Sequence, residues 1–509
     1  YGVHWDRGQT WWYLSDVYHR YITRCQYMLQ QGHTVADVLY LTPEGAPHVF
    51  LPPVSALDYR KLDVEKYGNF RKTSMMPDRR GYNFDGCPPS VFMQASVKND
   101  NVILPGGASY RIIVMPYTET MTPALLAKIK ELVRDGATVV GLPPTQSPSL
   151  QGYPLCDQQV RDIATELWGE DVVTAKKYNV TLQTRTFGKG RVIYGETLSK
   201  DADNLYPHYE VTAGILSDIT FPDFECNGEV RYTHRTTSFS EDIYFVSSRM
   251  DSLQQVEATF RISGRTPELW HPITGQVRVL SEYTEQNGCT TVPLQLEPYE
   301  SYFIVFRKKS GKNDICRSNF PSFSTVKTLT DLWNVSFDPK WGGPGKVVFK
   351  SLTDWSKNET QGIKYYSGTA FYTTSFDFSL NREPSAATAY YLDLGNVKNM
   401  ARVSLNGKVI ATLWTSPWRI DITSYLREGR NELVIEVVNL WVNRLIGDEY
   451  LPYDGITEDG KWPQWLVDRK MRTSGRYTFA TTREYANCKE SDCLSESGLL
   501  GPVRILGMN

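Results

Sequence analysis

The densest run of chemically able side chains lies in the first dozen residues: His4, Trp5, Asp6, Arg7, Thr10, Trp11 and Trp12. Imidazole, carboxylate and guanidinium groups suit the hydroxyls of a sugar, and flat indole faces suit the C–H faces of a pyranose. The run stands just before a helical pattern, whose free N–H groups and positive dipole end favour anions and polar oxygens. A loop that feeds a helix is also where a β/α barrel places its catalytic face. The same residues would serve equally as an aromatic core with a buried Asp6–Arg7 or His4 contact, and spacing alone leans toward that packing role.

Two further clusters compete for chemistry. Trp441, Asn443, Arg444, Asp448, Glu449, Tyr453 and Asp454 include carboxylates that could form an acid site or ligate calcium with the 451–455 loop. Their spacing matches no EF-hand, and a loop pinned by an Arg444–carboxylate pair is the plainer reading. His234-Arg235, beside Glu241 and Asp242, reads as a hydrogen-bonded structural histidine on a strand. With 57 acidic residues, no pair is privileged as a catalytic acid and base. H-E-x-x-H and G-x-S-x-G are both absent, which removes the zincin and α/β-hydrolase readings.

The cysteines, at positions 25, 87, 156, 226, 289, 316, 488 and 493, form no C-x-x-C and have no histidine at zinc-finger spacing. Only Cys488 and Cys493 are close enough to suggest a local bridge, the alternative being two unpaired thiols. N-x-[ST] sequons occur at Asn179, Asn334 and Asn358. The 55 basic and 57 acidic residues nearly cancel, which argues against a nucleic-acid binder. No apolar run approaches the ~20 residues of a membrane span. The chain starts at Tyr1, so it reads as a mature or truncated product.

Several elements must position these groups. Trp11, Leu14, Tyr18, Tyr21, Ile22, Cys25, Met28 and Leu29 predict one long helix, capped by Thr10 and closed by Gly32. Its bulky stripe needs a large partner, and the expected one is a domain cut away before Tyr1. Residues 33–200 alternate strand and helix, the clearest helix running from the Thr122-Pro123 start to Gly136. That alternation predicts a parallel sheet. The glycine-rich phosphate loops are missing, so no nucleotide is expected. Cys87 precedes Pro88-Pro89 and is not read as a strand-to-helix nucleophile. From about 205 onward the runs are strands only, first a β-sandwich, then a polar linker at 310–324, then a jelly roll with an Asn406-Gly407 hairpin turn.

Taken together, the sequence resembles glycoside hydrolase family 106, the α-L-rhamnosidases, over essentially all of its length and as the C-terminal portion of the family's chain. The resemblance rests on His4-Trp5-Asp6-Arg7 with Thr10-Trp11-Trp12, on the runs 24–32 and 36–38, on Gly362 to Gly368, on Asn439 to Glu449, and on Ser497 to Val503. It implies a multidomain α/β plus all-β protein. Residues 1–32 would end a (β/α) barrel, 33–204 would form an amidotransferase-like α/β domain, 205–309 a β-sandwich, 310–324 a linker and 325–509 a jelly-roll, galactose-binding-like domain. It further implies inverting hydrolysis of terminal α-L-rhamnosides of plant or bacterial polysaccharides, dependence on calcium, and a periplasmic or secreted location. The expected partner is a rhamnose-containing glycan, with no nucleic acid and no membrane span. The catalytic acid and base and the calcium ligands are expected upstream, and a substrate-pocket role is carried over to His4, Asp6, Arg7, Thr10 and Trp11. A non-catalytic carbohydrate-binding or structural module is the rival if the chain is complete as given.

Overall fold

The computed structural model describes residues 5–45, 50–58, 76–77, 81–195, 198, 205–309, 318–379, 389–479, 485 and 493–508. It is mostly β-sheet with some helices. The alternating region builds a seven-stranded sheet in the order Val173–Lys177, Val180–Phe187, Gly190–Tyr194, Thr138–Val140, Ile112–Val114, Val38–Leu41, Phe84–Cys87. The strands from Gly190–Tyr194 to Phe84–Cys87 pair in parallel, and an antiparallel hairpin finishes the edge. The central strands are buried throughout and almost wholly apolar, as a sheet covered on both faces requires. Pro123–Asp135 is the expected helix: the Thr122 hydroxyl accepts from Leu125 N–H, Pro123 fills the first turn, and Gly136 takes φ +133°.

Two antiparallel sandwiches follow. In the first, a six-stranded sheet (His33–Thr34, Val230–Thr236, Asp242–Ser248, Ser301–Lys309, Arg265–Trp270, Val277–Val279) faces a four-stranded one across a core that includes Tyr244, Phe260, Leu294 and Phe306. In the second, a six-stranded sheet containing Thr369–Phe378 and Gly429–Val438 faces a four-stranded sheet containing Ala389–Asp393 and Arg504–Met508. Trp333, Trp355, Tyr372, Leu433 and Ile505 fill the space between them. Asn406 and Gly407 take φ of 53° and 78°, as the hairpin turn demands. The strand Phe323–Thr328 begins inside the segment read as linker.

The N-terminal helix departs from expectation in two ways. The α-helix is Asp16–Leu29, preceded by a 3-10 turn at Trp12–Leu14. Thr10 does not cap it: the N-cap position is Ser15, five residues on, and the Thr10 hydroxyl donates to the Asn439 carbonyl. The apolar stripe is also not left bare. Cys25 and Met28 pack on Ile243, Phe303 and Val305 of the first sandwich, and Leu14, Trp11 and Val17 pack on Met400, Val438 and Trp414 of the second. The large partner that the stripe requires is therefore this chain's own pair of sandwiches, contributed by residues more than 200 positions away.

Candidate functional site

Residues 5–12 sit against the second sandwich. His4 lies outside the described residues. Trp5, Asp6 and Arg7 are exposed. Asp6 Oδ1 accepts from Gly8 N–H at 2.6 Å, a local turn that holds the carboxylate on the surface. Trp5 meets Trp11 edge-on at 5.0 Å and lies 5.0 Å from Tyr18, which in turn packs edge-on against Trp414. Thr10 spends its hydroxyl on Asn439, and Trp11 is a half-buried packing residue. Of the residues assigned to a pocket, Asp6 and Arg7 are the ones whose polar groups face solvent. Asp6 and Arg7 are not a buried pair.

The motifs at 362–368, 439–449 and 497–503 converge on the ground beneath them. Asn439 donates to the Tyr366 carbonyl at 2.8 Å and accepts from Gly368 N–H at 2.9 Å. The Arg444 N–H donates to the Ser367 hydroxyl at 3.0 Å. Asn443 donates to the Ser495 carbonyl at 2.7 Å and to the Ser497 hydroxyl at 2.9 Å. Trp441 donates its indole N–H to the Gly8 carbonyl at 2.7 Å, and its ring meets Trp341 edge-on at 4.9 Å. Gly447 allows this packing, since a Cβ there would stand 2.5 Å from Arg444 Nη2 and 2.6 Å from Tyr365.

The acidic loop beyond is a set of ion pairs. Arg444 Nε donates to Asp448 Oδ1 at 3.0 Å, with both residues buried. Asp448 Oδ2 accepts from the Tyr477 and Thr478 N–H groups and the Thr478 hydroxyl at 3.0, 2.7 and 2.6 Å. Arg476 reaches Glu449 at 3.2 Å, and Arg472 holds both oxygens of Asp454 at 2.6 Å. Burial works against the Asp454 charge, but Arg472 and Ser474 outweigh it and hold its pKa below the usual carboxylate range. This is the pinned-loop arrangement. Arg444, Arg476 and Arg472 each engage one of the three carboxylates and balance its charge within the loop. Among the described residues no group of three or more His, Cys, Asp or Glu side chains converges to hold a metal ion.

His234 proves to be the centre of a buried joint. Its Nδ1 lies 3.0 Å from both oxygens of Asp223, its Nε2 lies 3.1 Å from Asp242, and its ring stacks on Tyr244 at 3.8 Å. Burial disfavours the imidazolium, yet the two carboxylates raise its pKa to about 9. Burial likewise opposes the charge on Asp223, but His234, Arg261 and Tyr244 bring its pKa below the ordinary value. Arg261 continues the chain to Asp37 at 2.9 and 3.1 Å, and Arg111 closes on Asp37 at 3.1 Å. Desolvation and the nearby Asp223 charge push Asp37 up against the pull of Arg261 and Arg111. The sequence reading found His234 and the 36–38 motif but missed Asp223 and Arg261, since no local spacing ties residue 37 to residue 261. The joint fastens the parallel sheet to the first sandwich, with His234, Asp223 and Asp37 buried at its centre.

Cys87 corrects another expectation. It ends the strand Phe84–Cys87, and a short helix, Pro89–Phe92, follows directly after Pro88, so it does occupy a strand-to-helix turn. It is nevertheless buried, its thiol lies 3.6 Å from the Pro88 carbonyl, and desolvation pushes its pKa up to about 11. A protonated, covered thiol is not a nucleophile. Cys493 is disulfide-bonded, and Cys488, its expected partner, lies outside the described residues.

The buried carboxylates described are Asp37, Asp223, Glu268, Glu300, Asp354, Asp393 and Asp448. Asp37, Asp223 and Asp448 are held as above, Glu268 by Arg307 and Lys308, and Asp393 by Arg504. Asp354 binds the Ser356 and Ser497 N–H groups, and Glu300 binds the Glu297 N–H beside His271.

Comparison with known proteins bears on the whole chain. A family model described as alpha-L-rhamnosidase matches residues 1–285, and one described as a glycosyl hydrolase 2 galactose-binding domain-like unit matches residues 351–471. The solved rhamnosidase from Novosphingobium sp. PP1Y is 29% identical with a TM-score of 0.76, over 99% of this chain and 42% of that one. A protein of Formosa agariphila described as a putative beta-glucuronidase is 24% identical, over 99% of this chain and 58% of its own length. The chain thus spans roughly half the length of the relatives it matches.

Proposed function

The chain belongs to the alpha-L-rhamnosidase family of glycoside hydrolases, and from that premise we propose that it forms part of an enzyme hydrolysing terminal α-L-rhamnosides of plant or bacterial polysaccharides with inversion. The observation that carries this reading is the likeness to a solved rhamnosidase, with a TM-score of 0.76 over 99% of the chain. In such a reaction one carboxyl protonates the glycosidic oxygen as the C–O bond breaks. A second carboxylate, ~6.5–9.5 Å away, takes a proton from the attacking water.

The buried carboxylates described here are all engaged by cations or N–H groups. We therefore place the acid and base in the remainder of the family's chain, and give these 509 residues the tasks of binding and positioning. His4, Asp6 and Arg7 are proposed to meet sugar hydroxyls, with Thr10 and Trp11 holding that loop on the second sandwich. The domain division belongs to the same proposal: a barrel end at 1–32, an amidotransferase-like domain at 33–204, a sandwich at 205–309 and a linker from 310 to the strand Phe323–Thr328. Calcium dependence does too, with the ligands in the remainder of the family's chain. A periplasmic or secreted location accords with the disulfide at Cys493. The test is release of free rhamnose from an aryl α-L-rhamnoside by the whole protein. Release of glucuronic acid but no rhamnose would overturn the reading.

A further inference from the structure

A cavity of about 400 Å³ opens between the N-terminal helix and the Trp270–Val277 hairpin of the first sandwich. Its size falls in the ~300–1,000 Å³ range of small-molecule sites. It is separate from the Asp6–Arg7 surface, and it contains Arg24 and Tyr27 from the 24–32 motif, which the proposed hydrolysis leaves without a task.

The walls are chiefly apolar. Tyr27 is 65% exposed, and Trp270 is half-buried with Arg307 stacked 5.1 Å from its ring. The polar groups are few: Arg24, His271, Gln276 and the hydroxyls of Thr23 and Tyr27. Arg24 is the unusual one. Its Nη1 donates to the carbonyls of Pro272 and Ile273 at 3.0 and 2.5 Å, and it makes no ion pair with a carboxylate among the described residues. Those carbonyls orient the guanidinium without neutralising it. Gly275 makes room for it, since at φ +79° a Cβ would stand 3.0 Å from Arg24 Nη2. His271 is backed by Glu300 at 3.5 Å, so that acid is already committed behind the wall.

A half-buried, oriented guanidinium fork with no carboxylate partner among the described residues matches a planar carboxylate. Two aromatic side chains beside it match the C–H face of a pyranose. We propose that this cavity binds a uronic acid residue of the glycan, with the sugar's carboxylate on Arg24 and its ring against Tyr27 and Trp270. The inference leans on the proposed glycosidase only for the class of ligand.

The test is titration calorimetry of this chain with methyl glucuronoside and methyl glucoside, which differ only in the C6 carboxylate. The glucuronoside is expected to bind at least about tenfold tighter, the scale of one charge-assisted hydrogen bond. Arg24→Gln should abolish that preference, Arg24→Lys should keep part of it, and Tyr27→Ala should weaken both ligands. Should Arg24→Gln fail to fold, Gln276→Ala and Tyr27→Ala carry the test, and binding indifferent to both overturns the proposal. Equal binding of the two glycosides, or no saturable binding of either, also overturns it. Because the readout is binding, a failure here leaves the hydrolase reading standing, and an inactive hydrolase leaves this site standing.

Discussion

Trp441 donates its indole N–H to the carbonyl of Gly8 at 2.7 Å, across 433 residues of chain. Together with the Thr10–Asn439 bond, it ties the loop bearing Asp6 and Arg7 to the loop that follows the strand Gly429–Val438. Trp441→Phe removes only the donor. The expected cost is about 1 kcal/mol, read as a shift in the denaturation midpoint. Wild-type stability in this variant would show that the bond holds nothing in place.

Asp448 is expected to behave as a structural ion, not as a metal ligand. Asp448→Ala leaves Arg444 buried without its partner, which should destabilise by about 3–5 kcal/mol. Thermal melts with calcium and with a chelator should give the same cost. A melting point of the wild type that falls in chelator, and of Asp448→Ala that does not, would return this carboxylate to a metal site.

The His234 joint should make stability depend on pH. Its folded pKa of about 9 lies above the ordinary unfolded value near 6.5. The stabilisation is therefore fully present below about pH 6.5 and is lost as pH rises through about 9. Urea titrations across that window should show the loss in wild type and a flatter profile in His234→Gln. Equal profiles would mean that the histidine is neutral between its carboxylates.

Much of this architecture was legible because its causes are local. The Thr122-Pro123 start and the Asn406-Gly407 turn depend on one hydrogen bond or two backbone angles, and both appear where the residues place them. The start of the first helix was not legible, because the 3-10 turn at Trp12–Leu14 moves the cap position from Thr10 to Ser15, and Thr10 instead meets the distant Asn439 carbonyl. The fate of its stripe was hidden for the same reason: Phe303 and Met400 cover it only once two sandwiches have folded. The Arg444–Asp448 pair could be read from helical i,i+4 spacing, whereas Asp223 beneath His234 could not. Cys87 was misjudged because Pro88-Pro89 looked like a break, yet proline is at home in the first turn of a helix.

Cys87 should consequently resist alkylation. Its thiol is buried and its pKa raised to about 11, so iodoacetamide at neutral pH should label it only after denaturation. Rapid labelling of the native protein, followed by mass spectrometry that locates the adduct on Cys87, would contradict this burial.

Asp6 offers a separation of binding from folding. Its carboxylate is exposed and, among the described residues, bonds to the local Gly8 N–H alone, so Asp6→Asn should leave the melting temperature of the whole protein nearly unchanged. If Asp6 meets a sugar hydroxyl, kcat/KM for a rhamnoside should fall by about tenfold or more. Unchanged kcat/KM in the variant would remove it from the site.

The central claim is inverting hydrolysis of α-L-rhamnosides, and proton NMR of the anomeric signals during hydrolysis by the whole protein tests it most directly. The account predicts that β-L-rhamnose appears first and then mutarotates to the equilibrium mixture. Initial release of α-L-rhamnose, or no rhamnose at all from an aryl α-L-rhamnoside, would contradict it.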